Sequence, residues 1–183
     1  MQDRMTADAP WTAQQREALQ EYSSNEYLLM NAKLRGVVPR AYDQDITDPD
    51  PARTQQRIKD AKAGLRPLPE SVRVFRNGYM KGLGLPKAYT RREQIESLRG
   101  LVGKTHKDDG FTSTSLKRPG TKKFGDVRLD IAVPAGTHGA FIEGITSMKH
   151  EHELVLAPGL HFKVLSLDES GAMPILKVRV IPA

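Results

Sequence analysis

The sequence predicts an α+β domain, a helical N-terminal part leading into a β-rich remainder. Two patterns predict it. Helix caps with their helix-forming runs crowd residues 12–64, whereas from Val72 onward apolar side chains recur at every second position. The later strands are not regularly separated by helices, which favours antiparallel pairing.

Thr12 with Gln15 three residues on reads as a capping box, so a first helix runs through "AQQREALQEY". Ser23 with Glu26 reads as a second box, opening "NEYLLMNAKLR" with Gly36 as its left-handed stop. Tyr27, Met30, Asn31 and Leu34 share one face of that helix, and Asn31 among them reads as a buried hydrogen-bonding side chain. A loop over 37–50 ends in Asp50-Pro51, an N-cap followed by a first-turn proline, which starts "ARTQQRIKDAKA" up to Gly64. "LRPLPES" is a Pro-punctuated connector.

"VRVFRNG" alternates and is rich in β-formers. Thr90 and Glu93 cap a short helix, "RREQIESLR", ended by Gly100. The remaining strands are "GFTSTSL", "DVRLDIAVPAG" with Val127, Leu129, Ile131 and Val133 on one face, "AFIEG", "ELVLAPG", "HFKVLSLDE" and "PILKVRVIPA". Residues 1–10 read as a loose tail and 11–183 as a single domain, with a helical lobe over 11–66 and a β-rich core over 67–183.

Composition narrows the chemistry. The chain has no cysteine, which excludes disulfides, thiolate nucleophiles and Cys-based zinc sites. No apolar run reaches the length of a membrane span, and the N-terminus lacks the apolar core of a secretory signal. A net charge of +6 suits an anionic ligand, a nucleotide or nucleic acid or an acidic partner surface, and equally suits solubility alone.

Two histidines and two glutamates interleave in His150-Glu151-His152-Glu153. On a strand, the histidines share one face and the glutamates the other. A zinc site needs a third protein ligand, but His106, His138 and His161 sit in unlike contexts and HExxH is absent, so no metal is expected. Glu151 and Glu153 could act as a carboxylate pair on a sugar carbon or form a solvated strand edge. Ser113, Thr114 and Ser115 alternate on another strand, so the serine hydroxyls face one side, free for cross-strand bonds or to orient a carboxylate. Arg76 shares its strand face with Val72 and Val74, and Arg73 lies on the other. A guanidinium closing an apolar face needs a carboxylate partner or a phosphate.

Arg76 on one strand, Phe111-x-Ser113-Thr114-Ser115 on a second and Glu151-x-Glu153 opening a third resemble, in that order, the Arg–Ser–Glu class of mono-ADP-ribosyltransferases, which includes arginine-modifying bacterial toxins. "EYSSNEYLLMNAKLRG" resembles the Asn-x-x-Leu-Arg helix of these domains. "LRPLPESVRVFR" and "AFIEGITSMKHEHELVLAPGLHFKVLSL" are similar to their arginine and Glu-x-Glu regions.

The resemblance implies a helical lobe on two antiparallel sheets packed at a steep angle, with NAD as substrate in the cleft. It implies that Arg76 holds a phosphate and that the backbone around Asn77 and Gly78 receives the nicotinamide amide. Ser113, with Thr114 and Ser115, lines the pocket and supports Glu153. Glu153 binds the ribose and stabilises the oxocarbenium ion, and Glu151 handles the incoming guanidinium. Glutamate at 151 implies an arginine acceptor, and Met148 stands where the toxins present an aromatic to their substrate.

The implied partner is a target protein with an accessible arginine, with an immunity protein or a larger delivery chain as further partners. The implied setting is secretion or delivery into a target cell as part of an exported or phage protein. NAD hydrolysis, transfer to nucleic acid and a non-enzymatic basic module are the competing readings.

Overall fold

The computed structural model describes residues 11–41, 44–118, 125–146 and 152–181. The tail expected over 1–10 lies outside them. Helix α1 (Ala13–Glu21) carries the expected Thr12–Gln15 capping box, and α2 (Tyr27–Arg35) ends at Gly36 in the left-handed region (φ 65°). Between them runs one π-helical segment, Tyr22–Glu26, so the chain turns on without a break. The expected cap at Ser23 therefore does not form. Ser23 and Ser24 instead donate to the Gln20 and Glu21 carbonyls (2.8 and 2.7 Å), satisfying the preceding turn rather than starting a new one.

Helix α3 (Pro51–Gly64) starts at the Asp50 cap as expected. It lies against α1, and Arg57 reaches Glu17 at 2.7 Å and Glu21 at 2.6 Å. Strands β1 (Arg40–Ala41) and β2 (Gln44–Asp45) form a small hairpin inside the expected loop. Helix α4 (Arg91–Arg99) carries the Thr90–Glu93 box. No helix among the described residues is long and apolar enough to cross a membrane.

Nine further strands follow: β3 (Arg66–Pro67), β4 (Val72–Gly78), β5 (Thr105–Asp108), β6 (Thr112–Ser115), β7 (Val127–Val133), β8 (His138–Phe141), β9 (Glu153–Leu156), β10 (Leu160–Asp168) and β11 (Ile175–Ile181). They hydrogen-bond in the order β3-β8-β9-β6-β4-β7-β11-β10-β5. At the middle of this series, β6 meets β4 through one residue pair, Phe75 and Ser115. By hydrogen bonding the strands form one mixed sheet, and the expected two sheets correspond to its halves on either side of that junction.

The first half is antiparallel throughout. In the second, β11 pairs with β7 in parallel, a departure from the expected antiparallel pairing. The β10–β11 hairpin turns β11 back along the free edge of β7, whose other edge is taken by β4. Strand β5 is not among the expected strands, because "THKD" is polar and shows no apolar alternation. It is recruited by backbone pairing to the edge of β10. Strand β8 begins two residues before the expected "AFIEG".

All four residues of β9 are buried, and its alternation divides them between two cores. Val155 joins Leu19, Tyr22, Met30 and Ile58 of the helical lobe together with Phe111 and Ile142. Leu154 and Leu156 join Val74, Ile131, Leu176 and Leu98 on the other side. The strand bearing Glu153 is thereby pinned from both faces.

Ile131 is fully buried at the centre of β7, between β4 and β11. Ile131→Ala is expected to cost about 2–5 kcal/mol through lost burial and a residual cavity. A denaturant titration checks it, with an unchanged slope marking an intact fold.

Candidate active site

The three signature side chains come together at the junction of the two sheet halves. Arg76, near the end of β4, donates from Nη1 to the Ser113 carbonyl of β6 at 2.7 Å. Ser113 Oγ in turn donates to Glu153 Oε1 of β9 at 2.5 Å. β6 and β9 are antiparallel with Ser115 opposite Glu153 and Ser113 opposite Val155, so the Ser113–Glu153 bond runs diagonally across one face. That face looks toward the helical lobe. Glu153 is only 8% exposed, so its carboxylate depends on hydrogen bonding for its charge.

The two arginines of β4 have different fates. Arg73 forms a two-pronged ion pair with Asp130 of β7, which is buried, and is fixed there. Arg76 makes no ion pair with a carboxylate among the described residues, and its bond to the Ser113 carbonyl occupies one of five N–H donors. A half-buried guanidinium with donors to spare can receive a phosphate.

Strand β6 is held in place by two clamps from α2. In the first, Asn31 Oδ1 accepts from the Phe111 N–H at 2.8 Å while its Nδ2 donates to the Tyr22 hydroxyl at 3.3 Å. The Tyr22 hydroxyl faces the Phe111 carbonyl at 3.4 Å. Nine residues of regular α-helix would put Tyr22 and Asn31 about half a turn apart, at 3.6 residues per turn. The π segment turns less per residue, which narrows that offset and lets the Asn31 amide reach the Tyr22 hydroxyl. Burial pushes the Tyr22 hydroxyl up to about 12, and the Glu153 charge adds to this against Asn31 and Arg76. It stays a neutral donor at any ordinary pH.

In the second clamp, Arg35 pairs with Asp108 at 2.9 and 3.0 Å, and Asp108 also accepts from the Gly110 N–H and the Thr112 hydroxyl. Burial would raise the Asp108 carboxyl, but Arg35, Gly110 and Thr112 outweigh it and hold it below the ordinary carboxylate value. A Cβ at Gly110 would fall 2.6–2.8 Å from the Arg35 guanidinium, so only glycine allows this approach.

The other expected residues are distributed as follows. Asn77 accepts from Arg128 Nε at 3.0 Å through its side chain, and the Gly78 carbonyl accepts from the Asp126 N–H at 2.7 Å. Thr114 is buried on the opposite face of β6 and donates to the Leu154 carbonyl at 2.7 Å, holding β6 to β9. Ser115 lies on the Ser113 side, and its Oγ accepts from the Lys117 N–H at 3.1 Å. A cleft of about 1630 Å³ opens beside Arg76, Asn77 and Gly78, with Arg35 and Thr112 also lining it. Met148 and Glu151 lie outside the described residues.

One expectation is corrected by the backbone. The strand expected through "HEHE" does not include His152: β9 begins at Glu153, and His152 is left-handed with φ 46°. The expected strand alternation therefore does not extend from Glu153 back through His152, and Glu151 lies outside the described residues. His152 instead turns to Glu143 on the β8–β9 connection, with Nδ1 3.0 Å from Oε2.

Arg35 is the arginine of the Asn-x-x-Leu-Arg stretch and Tyr22 lies in the same segment, but nothing in the spacing signals their partners, Asp108 and Phe111. An aspartate in a polar stretch carries no local signal, and these pairings span 73 and 89 residues.

A sequence model of the ADP-ribosyltransferase exoenzyme family matches residues 2–178. The NAD(+)–protein-arginine ADP-ribosyltransferase Tre1 of Serratia proteamaculans is 29% identical over 171 residues, covering 90% of this chain and 31% of Tre1. The chain thus spans about a third of that relative. The Clostridium limosum C3 exoenzyme superposes with a TM-score of 0.81 at 20% identity, covering 98% of this chain and 91% of the exoenzyme. C3stau2 from S. aureus, solved with NAD, superposes with a TM-score of 0.76 at 18% identity over 99% of this chain and 92% of that chain. Both structural likenesses are of fold.

Asn31→Ala leaves the buried Phe111 N–H without its acceptor and is expected to destabilise by about 1–3 kcal/mol, measured by thermal melting. Asp108 gives an acid dependence. Its folded pKa lies below the unfolded reference of 3.8, so its stabilisation is present above that value and is lost as pH falls through the folded one. Asp108→Asn is expected to flatten the acid limb of melting temperature against pH, below about pH 4.

Proposed function

Because the chain belongs to the ADP-ribosyltransferase exoenzyme family, we propose that it cleaves NAD and transfers ADP-ribose to an arginine side chain of a target protein, as a bacterial toxin or effector. The observation that carries this reading is the linked set Arg76–Ser113–Glu153, in which a guanidinium with open donors and a buried carboxylate meet on one strand. The name of the Serratia relative and the NAD bound to the S. aureus structure support the same chemistry.

In this reading Arg76 binds the diphosphate, and the backbone at Asn77 and Gly78 receives the nicotinamide amide. Ser113 orients Glu153, with Ser115 beside it and Thr114 securing the strand. As the bond between nicotinamide and ribose breaks, nicotinamide leaves with the electron pair and positive charge develops at the anomeric carbon. Glu153 stabilises that charge selectively in the transition state. A guanidinium nitrogen of the acceptor then bonds to the same carbon and gives its proton to Glu151, while Met148 contacts the target surface. An immunity protein or a larger delivery chain completes the setting, with the protein secreted or delivered into the target cell.

Glu153→Gln keeps the shape but not the charge, and is expected to lower nicotinamide release by about 10²-fold or more with the circular dichroism unchanged. Glu151→Ala is expected to leave NAD cleavage largely intact while removing arginine labelling, read by mass spectrometry of a lysate incubated with NAD. Full NAD cleavage by Glu153→Gln refutes the assignment, and equal labelling of nucleic acid by wild type and Glu151→Ala refutes the arginine acceptor.

A further inference from the structure

His152 is the non-glycine residue with a positive φ among the described residues, and it directly precedes Glu153. A β-carbon in the left-handed region is uncommon, and such a residue persists where its surroundings hold it. Here they hold it from three sides. The His152 carbonyl accepts from the Leu116 N–H at 3.0 Å, just beyond β6. The Glu153 carbonyl accepts from the Ile142 N–H at 3.0 Å. The His152 ring, with a side chain 12% exposed, meets the Glu143 carboxylate at 3.0 Å, and that carboxylate is 23% exposed. An ionised carboxylate only accepts, so Nδ1 carries the proton in this bond.

We propose that the His152–Glu143 pair is a positioning couple, which fixes the left-handed turn at residue 152 and thereby aims the Glu153 carboxylate at Ser113. The backbone bonds alone fix the height of the chain between β6 and β8. The bond from Leu116 also orients the 152–153 peptide, but neither backbone bond holds the side chain of residue 152, through which the left-handed turn is tied to its neighbours. The side-chain pair supplies that constraint, because it ties the ring of the turning residue to the neighbouring β8–β9 connection. Neither residue touches the reacting atoms; both act through Glu153. The inference rests on the NAD-cleaving reading for its kinetic consequence, but its geometric consequence stands apart from it.

Glu143→Ala and His152→Ala test it. Each is expected to lower kcat for nicotinamide release by about 10- to 100-fold, the scale of a small misplacement of a catalytic group, with KM for NAD little changed. The double variant is expected to be no slower than the worse single one, because both remove one device. Glu143→Gln keeps an acceptor for the Nδ1 proton and is expected to recover most of the rate.

A crystal structure of Glu143→Ala gives a readout without turnover: residue 152 leaves the left-handed region and the Ser113–Glu153 bond lengthens. Wild-type kcat in both alanine variants, additive losses in the double variant, or an unmoved residue 152 with the Ser113–Glu153 bond intact each overturn the couple. Failure of the wild type to release nicotinamide would instead refute the NAD reading, and the crystallographic comparison would still decide the couple.

Discussion

A carboxylate that is 8% exposed must be held by a donor, and the arrangement of this protein follows from how Glu153 is held. The Ser113 hydroxyl donates to it, and that bond forms only if β6 and β9 keep their register and their height. β9 is secured because its side chains serve both cores, Val155 the helical lobe and Leu154 with Leu156 the far side of the sheet. β6 has four residues and touches β4 at a single pair, so backbone pairing alone holds it weakly. Asn31, Tyr22 and the Arg35–Asp108 pair supply the remainder from α2 and the turn before it. The helical lobe is thus more than a cover: its hydrogen bonds set the position of the strand that orients the carboxylate.

The charges around the junction are sorted by whether they already have partners. Arg73 and Arg76 are three residues apart on one strand, yet Arg73 is committed to Asp130 and Arg76 retains donors facing the cleft. Tyr22 lies close enough to feel both Arg76 and Glu153, and its burial keeps it neutral, so it adds no third charge to the site. Such a balance leaves an anion-accepting group and an anionic group a short distance apart, suited to a substrate with phosphates at one end and a developing positive charge at the other.

Local signals predicted local structure well. The boxes at Thr12 and Thr90 and the Asp50-Pro51 start all form where expected, because a cap is decided by residues three apart. The same logic failed at Ser23, where the chain continues through a π segment that lets Asn31 reach Tyr22. Nothing within a few residues of Ser23 favours a π turn over a new cap; the buried contact with Phe111 does. Strand β5 and the parallel β7–β11 pair were unreadable for the same reason, since each depends on which strand edge is left open after the rest has paired.

By itself, the sequence determined the α+β class, most helix boundaries, the alternation of the strands, and the ordered set of Arg76, Ser113 and Glu153. These follow from periodicity, capping and a motif whose parts each lie within a few residues. Only the tertiary structure decided which arginine of β4 remains available, that Thr114 secures β6 to β9 rather than lining the pocket, and that the chain turns left-handed at His152 before Glu153. Each of these depends on contacts between segments far apart in the chain, with Asp130, with Leu154 and with Glu143. Side-chain direction at a strand end is set by what the fold brings beside it, and spacing along the chain holds no record of that.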